Sequence, residues 1–386
     1  MTRFDFAASM QKSERLVALD AVRFVAMFLM IQGHTLDALV APTELDVTKF
    51  PWSVWNFLRG LTAPVFLLAS GIIHVFATKR DSHGRLPRQL VWRRIRWALT
   101  LLGIGYLMMF PAQRLWHLNY VPAEQWTAFF RVHILQLLGV TLLAVLALFL
   151  LTRTHRQLAL AGAIVGLLIV LAAPAAAWVD WYRVLPEPLA AYMSTDRGSL
   201  FPVIPFSAYL FLGLPLGAWL LQLPSGTRLW ALQRIVPLAG LGLTAASVAL
   251  APCFQGLLPP HANPFHANPG FILLRFGLAL VFVGAIAWLY GWTRNWANLY
   301  TLAGRYALFV FVGHLVVLYG TPWFDSFARW YPKTLSLAEG IGILAVVLAL
   351  LGVGIAAAEL LRRWWRKPSL LWAGVGSVLG YILLAP

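Results

Sequence analysis

A chain of 386 residues that is 60% hydrophobic and only 11% charged lacks the polar groups to cover a folded surface in water. Lipid is the solvent that suits it. A net charge of +16 would suggest nucleic acid in a soluble protein. Here the basic residues sit in short loops between apolar runs, as topology signals do, so no nucleic-acid partner is expected. The single cysteine, Cys253, excludes an internal disulfide and a thiolate metal cluster.

Residues 1–15 read as a cytosolic segment, and 16–386 as one transmembrane domain. The first apolar run begins near Leu16. It is too long for the apolar part of a signal peptide and carries Asp20 and Arg23, so it reads as a retained helix. Since about 20 apolar residues cross the hydrocarbon, spans are expected near 16–40, 52–77, 95–111, 129–151, 157–179, 201–221, 235–252, 271–290, 299–319 and 337–361. A Gly-rich piece at 369–386 either spans or lies at the interface. The fold class is therefore all-α, a polytopic bundle of about ten or eleven transmembrane helices.

Orientation follows from Lys and Arg. With the N-terminus inside, nineteen of the 30 fall on the cytosolic side and seven outside. The four that remain, Arg23, Arg59, Arg275 and Arg305, lie within spans. The 18 Trp flank many of the apolar runs, as interfacial belts do. Trp178, Trp181 and Tyr182, in an outer loop, read first as belt residues and second as a surface for stacking on a sugar.

The first span carries an ionisable stripe. At about 100° per residue, Asp20, Arg23 and His34 face the same way, with Asp37 one step beyond. His34 lies about 21 Å from Asp20 along the axis. An ionised group at mid-bilayer costs roughly 3 kcal/mol even on the most lenient scales, so such a stripe must face protein or water. Helix packing through an Asp20–Arg23 pair is the plain alternative. A histidine suits general-base work near neutral pH, and His34 is the candidate. His261 and His266 lack carboxylate or cysteine neighbours, so no metal site is expected.

The run Arg15-Leu16-Val17-Ala18-Leu19-Asp20-Ala21-Val22-Arg23, with His34 eleven residues after Arg23, resembles the opening of the integral-membrane acyltransferase superfamily. Further runs fit the same pattern: Thr62-Ala63-Pro64-Val65-Phe66-Leu67-Leu68-Ala69-Ser70-Gly71, Arg93-Arg94-Ile95-Arg96, His133-Ile134-Leu135-Gln136-Leu137-Leu138-Gly139, and Phe201-Pro202-Val203-Ile204-Pro205-Phe206 through Gly217. The last is Leu302-Ala303-Gly304-Arg305-Tyr306-Ala307 through His314. In order and spacing the chain is most similar, over about residues 15–320, to bacterial members of the heparan-α-glucosaminide N-acetyltransferase catalytic-domain family. Tyr306-Ala307 departs from the family's Ser-Leu, and the outer-loop histidine of the eukaryotic enzymes has no counterpart between His34 and His74.

The resemblance implies a multi-pass protein of the bacterial inner membrane, an acetyl-CoA donor on the cytosolic side, and an amino sugar or glycan acceptor. A homodimer is a candidate assembly. His34 would accept the acceptor's proton or carry the acyl group transiently, with Asp20 and Arg23 completing the catalytic set. Arg59, Ser70, Arg93, Arg94, Arg96 and Arg305 are candidates for holding the donor; His314 and Asp37 are candidates on the acceptor side. Arg305 and His314 are nine residues apart and half a turn out of phase, so they share one cavity only if their helix is distorted. A proton-coupled transporter or exporter built on the same stripe is the competing reading.

Overall fold

The computed structural model describes residues 16–364. Its regular elements are helices, with only isolated β-bridges beside them. In chain order the principal ones are α1 (Val17–Leu39), α2 (Trp52–Arg59), α3 (Thr62–Ala77), α4 (Arg88–Met108), α5 (Ala123–Phe130) and α6 (Ile134–Leu151). They continue with α7 (His155–Ala177), α8 (Val203–Gln222), α9 (Ser225–Gln255), α10 (Pro269–Trp292), α11 (Ala297–Arg305), α12 (Ala307–Tyr319) and α13 (Leu337–Trp364).

Among the described residues, eight stretches are long and apolar enough to cross a membrane, with the broken pair α11 and α12 as a ninth. The all-α polytopic class expected from sequence is thus the observed one. The helix expected at 95–111 starts earlier, at Arg88. Four arginines occupy its first nine residues, and it falls outside the set of candidate spans. The piece at 369–386 lies outside the described residues. The expected ninth span, 299–319, breaks at Tyr306, whose φ/ψ of −99°/18° ends one helix and starts the next.

The chain clusters into two compact units. Among the described residues, the first holds 16–26, Gly60–Gly105 and Arg131–Gly304; the second holds Met27–Arg59, Tyr106–Phe130 and 305–364.

In the first unit, α8 is the central element, packed against α3 on one side and α7 on the other, while α9 lies along α10. No hydrophobic effect drives helices together in lipid, so close packing must. Glycine provides it: a Cβ on Gly213 would sit 2.6 Å from the Leu68 carbonyl oxygen and 3.1 Å from the Gly71 Cα. The core beneath includes Leu19, Val22, Leu68, Ile72, Leu220, Leu232 and Val283. The opposite faces of α7 and α9 expose Leu160, Leu167, Leu171, Leu238, Leu241 and Val248, an apolar surface that fits acyl chains rather than water.

In the second unit a smaller core of Leu36, Val40 and Leu45 packs against Trp52, Trp55 and Leu337. The end of α1 is pinned by the connection that leads into α13. Val40 bridges to Leu335, and the Lys333 and Leu335 amides donate to the Ala38 and Leu39 carbonyls at 3.1 and 2.9 Å.

Candidate active site

The second unit brings together two histidines 280 residues apart in the chain. His34 Nδ1 and His314 Nε2 are 3.1 Å apart, with the rings stacked at 5.3 Å between centroids and 19° between planes. His314 is buried, 1% exposed, and its Nδ1 lies 3.0 Å from the Val310 carbonyl four residues earlier. A carbonyl only accepts, so in the neutral ring His314 carries its proton on Nδ1. Its Nε2 is then an acceptor, and His34 donates through Nδ1. The lone pair of a neutral His34 is left on Nε2. Tautomers along the chain Val310–His314–His34 are therefore set by one backbone carbonyl.

Around this pair the unit builds a second contact set. Arg59 Nη1 lies 2.9 Å from Asp37 Oδ1, its guanidinium is 5.1 Å from the Trp55 ring, and Trp55 Nε1 donates to Gln32 Oε1 at 3.1 Å. The stem of Arg59 runs across Gly33: a Cβ there would come within 2.8 Å of Arg59 Cγ and Cδ. Gly33 thus leaves room for the Arg59–Asp37 pair next to His34. Tyr319 adds its ring edge-on to His34 at 6.1 Å.

The first unit holds a different polar cluster. Arg94 Nη2 donates to the Ala77 carbonyl and to Thr78 Oγ1, both at 2.9 Å, closing the C-terminus of α3 with a cation where the helix dipole favours one. Arg94 Nη1 lies 3.3 Å from His74 Nε2, and His74 Nδ1 lies 3.2 Å from the Ser70 carbonyl. Ser70 turns its hydroxyl back to the Phe66 carbonyl at 2.7 Å. The Arg23 guanidinium sits 5.7 Å from the Phe66 ring, and Asp20 is buried, 5% exposed.

Of the residues singled out from sequence, His34, His314, Asp37 and Arg59 fall in the second unit as two touching pairs. Arg305 is also there, paired with Glu359 at 3.4 Å, and Tyr306 donates to the same carboxylate at 2.8 Å. Asp20, Arg23, Ser70 and Arg94 belong to the first unit, as do Arg93 and Arg96, which are exposed. The break at Tyr306 removes the phase conflict between Arg305 and His314, since the two no longer share a helix. Gln32, Gly33, Trp55, His74 and Tyr319 were not anticipated.

The helix that carries His34 belongs to a stretch with a sequence signature. Residues 15–248 match the family described as heparan-alpha-glucosaminide N-acetyltransferase, catalytic. The chain belongs to that family. The motif resemblance is borne out over this stretch, which covers Asp20, Arg23, His34, Asp37, Arg59, Ser70 and the Arg93–Arg96 run. Arg305 and His314 lie beyond it. As a member of the heparan-alpha-glucosaminide N-acetyltransferase catalytic family, the chain is a membrane acetyltransferase with an amino-sugar type of acceptor. Comparison with curated proteins returns no match.

Proposed function

We propose that the protein transfers an acetyl group from cytosolic acetyl-CoA to an amino sugar or glycan at the bacterial inner membrane, with His34 as the base. The observation that carries this reading is the 3.1 Å contact between His34 Nδ1 and His314 Nε2, with His314 held to the Val310 carbonyl. It makes Nε2 of His34 the basic nitrogen of a ring whose orientation is fixed through Nδ1.

The acceptor amine or hydroxyl attacks the thioester carbonyl carbon. Its proton passes to His34 Nε2, the carbon–sulfur bond breaks, and the CoA thiolate leaves and takes a proton to become the free thiol. The positive charge that develops on His34 is shared with His314 through the Nδ1–H···Nε2 bond. Transient acetylation of His34 Nε2 uses the same lone pair and differs only in who attacks first. Asp20 and Arg23 sit on the same helix in the first unit and act as supporting charges. Arg93, Arg96, Ser70, Arg59 and Arg305 remain the donor-side candidates, Arg94 being committed to the end of α3, and Asp37 and His314 the acceptor-side ones.

The test is thiol release from acetyl-CoA by the purified protein with glucosamine as acceptor. Wild type should release thiol in step with acetylated product, and His34→Ala should lose both. Full turnover by His34→Ala would remove His34 from the chemistry. Substrate movement across vesicles with no thiol release would favour the transporter.

A further inference from the structure

The first unit contains an open cleft of about 660 Å³ between the α3–α4 connection and the start of α7. Its lining includes Phe76, Lys79, Arg80, Asp81, Arg153 and His155. That volume is in the range of sites for nucleotide-sized molecules.

Its charge is unbalanced. Arg80 is bound entirely to neutral acceptors. Nη1 donates to the carbonyls of Gly84, Phe149 and Thr152 at 2.8, 3.0 and 2.6 Å, and Nη2 donates to Thr152 Oγ1 at 2.8 Å. These bonds fix the loop to the end of α6 but leave the guanidinium charge in place. Burial, and then the charge of Arg153, lower the Arg80 pKa, as expected of two cations held side by side. Among the described residues no ion pair reaches Arg80 or Arg153. The one acid in the lining, Asp81, turns its carboxylate into its own loop, accepting from the His83 and Arg85 amides at 2.9 and 2.8 Å. The N-terminus of α7, capped by Thr154 over Gln157, adds its partial positive charge to the same wall. Phe76, Val75 and Leu221 supply an apolar side.

We infer that this cleft is a binding site for phosphate groups, and that its occupant is the phosphorylated nucleotide end of the acyl donor. The anion site stands on the geometry alone, whereas the identity of the occupant rests on the proposed use of acetyl-CoA. Arg80 shapes the cleft, Arg153 meets the phosphates, and the apolar wall receives the base. An anionic lipid headgroup offers the same phosphate chemistry, so the experiment separates the two sources.

The probe is adenosine 3′,5′-bisphosphate, which has no acyl group to transfer, titrated calorimetrically into the full-length His34→Ala protein in phosphatidylcholine nanodiscs. Binding then reads independently of turnover, so failure of the catalytic reading leaves this result intact. Arg153→Glu is expected to weaken binding about tenfold or more. Arg156→Glu makes the same charge change three residues along, outside the lining, and should alter binding less than about twofold. Arg153→Gln, checked by an unchanged unfolding midpoint, should fall between them. If phosphatidylglycerol nanodiscs abolish nucleotide binding through an Arg153-dependent competition, the site holds phosphate but its occupant is lipid, and the nucleotide assignment is overturned. Equal losses in the Arg153 and Arg156 variants, or no binding of either phosphate source, overturn the site itself.

Discussion

His74 and His314 sit on the same local device and end in opposite chemistry. Each directs Nδ1 at the carbonyl of the residue four back in its own helix, Ser70 at 3.2 Å and Val310 at 3.0 Å. Each neutral ring therefore presents Nε2 as an acceptor. In the first unit that acceptor faces the Arg94 guanidinium at 3.3 Å, and in the second it faces His34 at 3.1 Å. An arginine does not give up its proton at physiological pH, so His74 ends a structural chain. A second imidazole can lose or gain one, so His314 continues a chemical chain. The helix fixes the tautomer in both cases, and the partner across the gap decides what the tautomer is for.

The sharpest way to break this contrast is to remove the two histidines in parallel. His314→Gln should lower kcat about a hundredfold or more, the scale of general acid–base catalysis, because His34 loses the acceptor that orients it. KM should hardly move, and the acid limb of the pH–rate profile should shift, which a packing defect would not cause. His74→Gln should keep kcat within about threefold. Equal losses in the two variants would reduce His314 to a packing residue.

The converse experiment asks where stability resides. Arg94→Met leaves the Ala77 carbonyl, the buried Thr78 hydroxyl and His74 Nε2 without their donor. Unsatisfied buried groups of this kind cost about 2–4 kcal/mol together. The variant should unfold earlier in denaturant while its folded fraction keeps normal kcat. A normal unfolding curve with lost turnover would move Arg94 from structure to chemistry.

A smaller effect tests the surroundings of His34. Gly33→Ala places a methyl against the stem of Arg59, at 2.8 Å from two of its carbons. Relief requires Arg59 to swing away from Asp37, so kcat should fall several-fold with about 1–2 kcal/mol of lost stability. Arg59→Ala should do the same through the pair itself. The double variant should be no worse than Arg59→Ala, since both changes act through one contact. Additive losses would show that Gly33 acts elsewhere.

Much of this was legible in the sequence, and the failures have physical causes. Apolar run lengths gave the helical class, because lipid forces backbone hydrogen bonds inside each segment. The spacing from Arg23 to His34 singled out His34 without any fold. Its partner was not legible as a partner, because a 280-residue separation leaves no local period to read. The out-of-phase Arg305 and His314 did carry a signal, since two functional residues on opposite faces imply a break, and the break falls at Tyr306. The start of α4 was misplaced because its arginines look like loop, whereas Arg94 in fact crosses from one helix to close another. His74, a polar residue at the end of an apolar run and before a basic one, was passed over by apolar scanning, since its contact is to the Ser70 backbone carbonyl and not to a side chain.

The mildest test uses a third histidine, which has neither device. His266 lies outside the spans, in the turn Pro264–Ala267, with its ring 5.2 Å from Phe206. Burial, and then the charge of Arg275, pull its pKa down from 6.5 to about 4. The unfolded chain thus takes up this proton near pH 6.5, and the folded chain only near pH 4. Between those values the unfolded state holds more protons, so stability falls as the pH drops through the window and levels off below it. The unfolding midpoint of wild type should decline across that range, and His266→Phe should remove this part of the decline without touching turnover. A decline unchanged in His266→Phe would assign the acid sensitivity to other groups and would leave burial without a partner as a harmless state for a histidine in this fold. That would weaken the view that the partner at the second nitrogen is what separates His74 from His314.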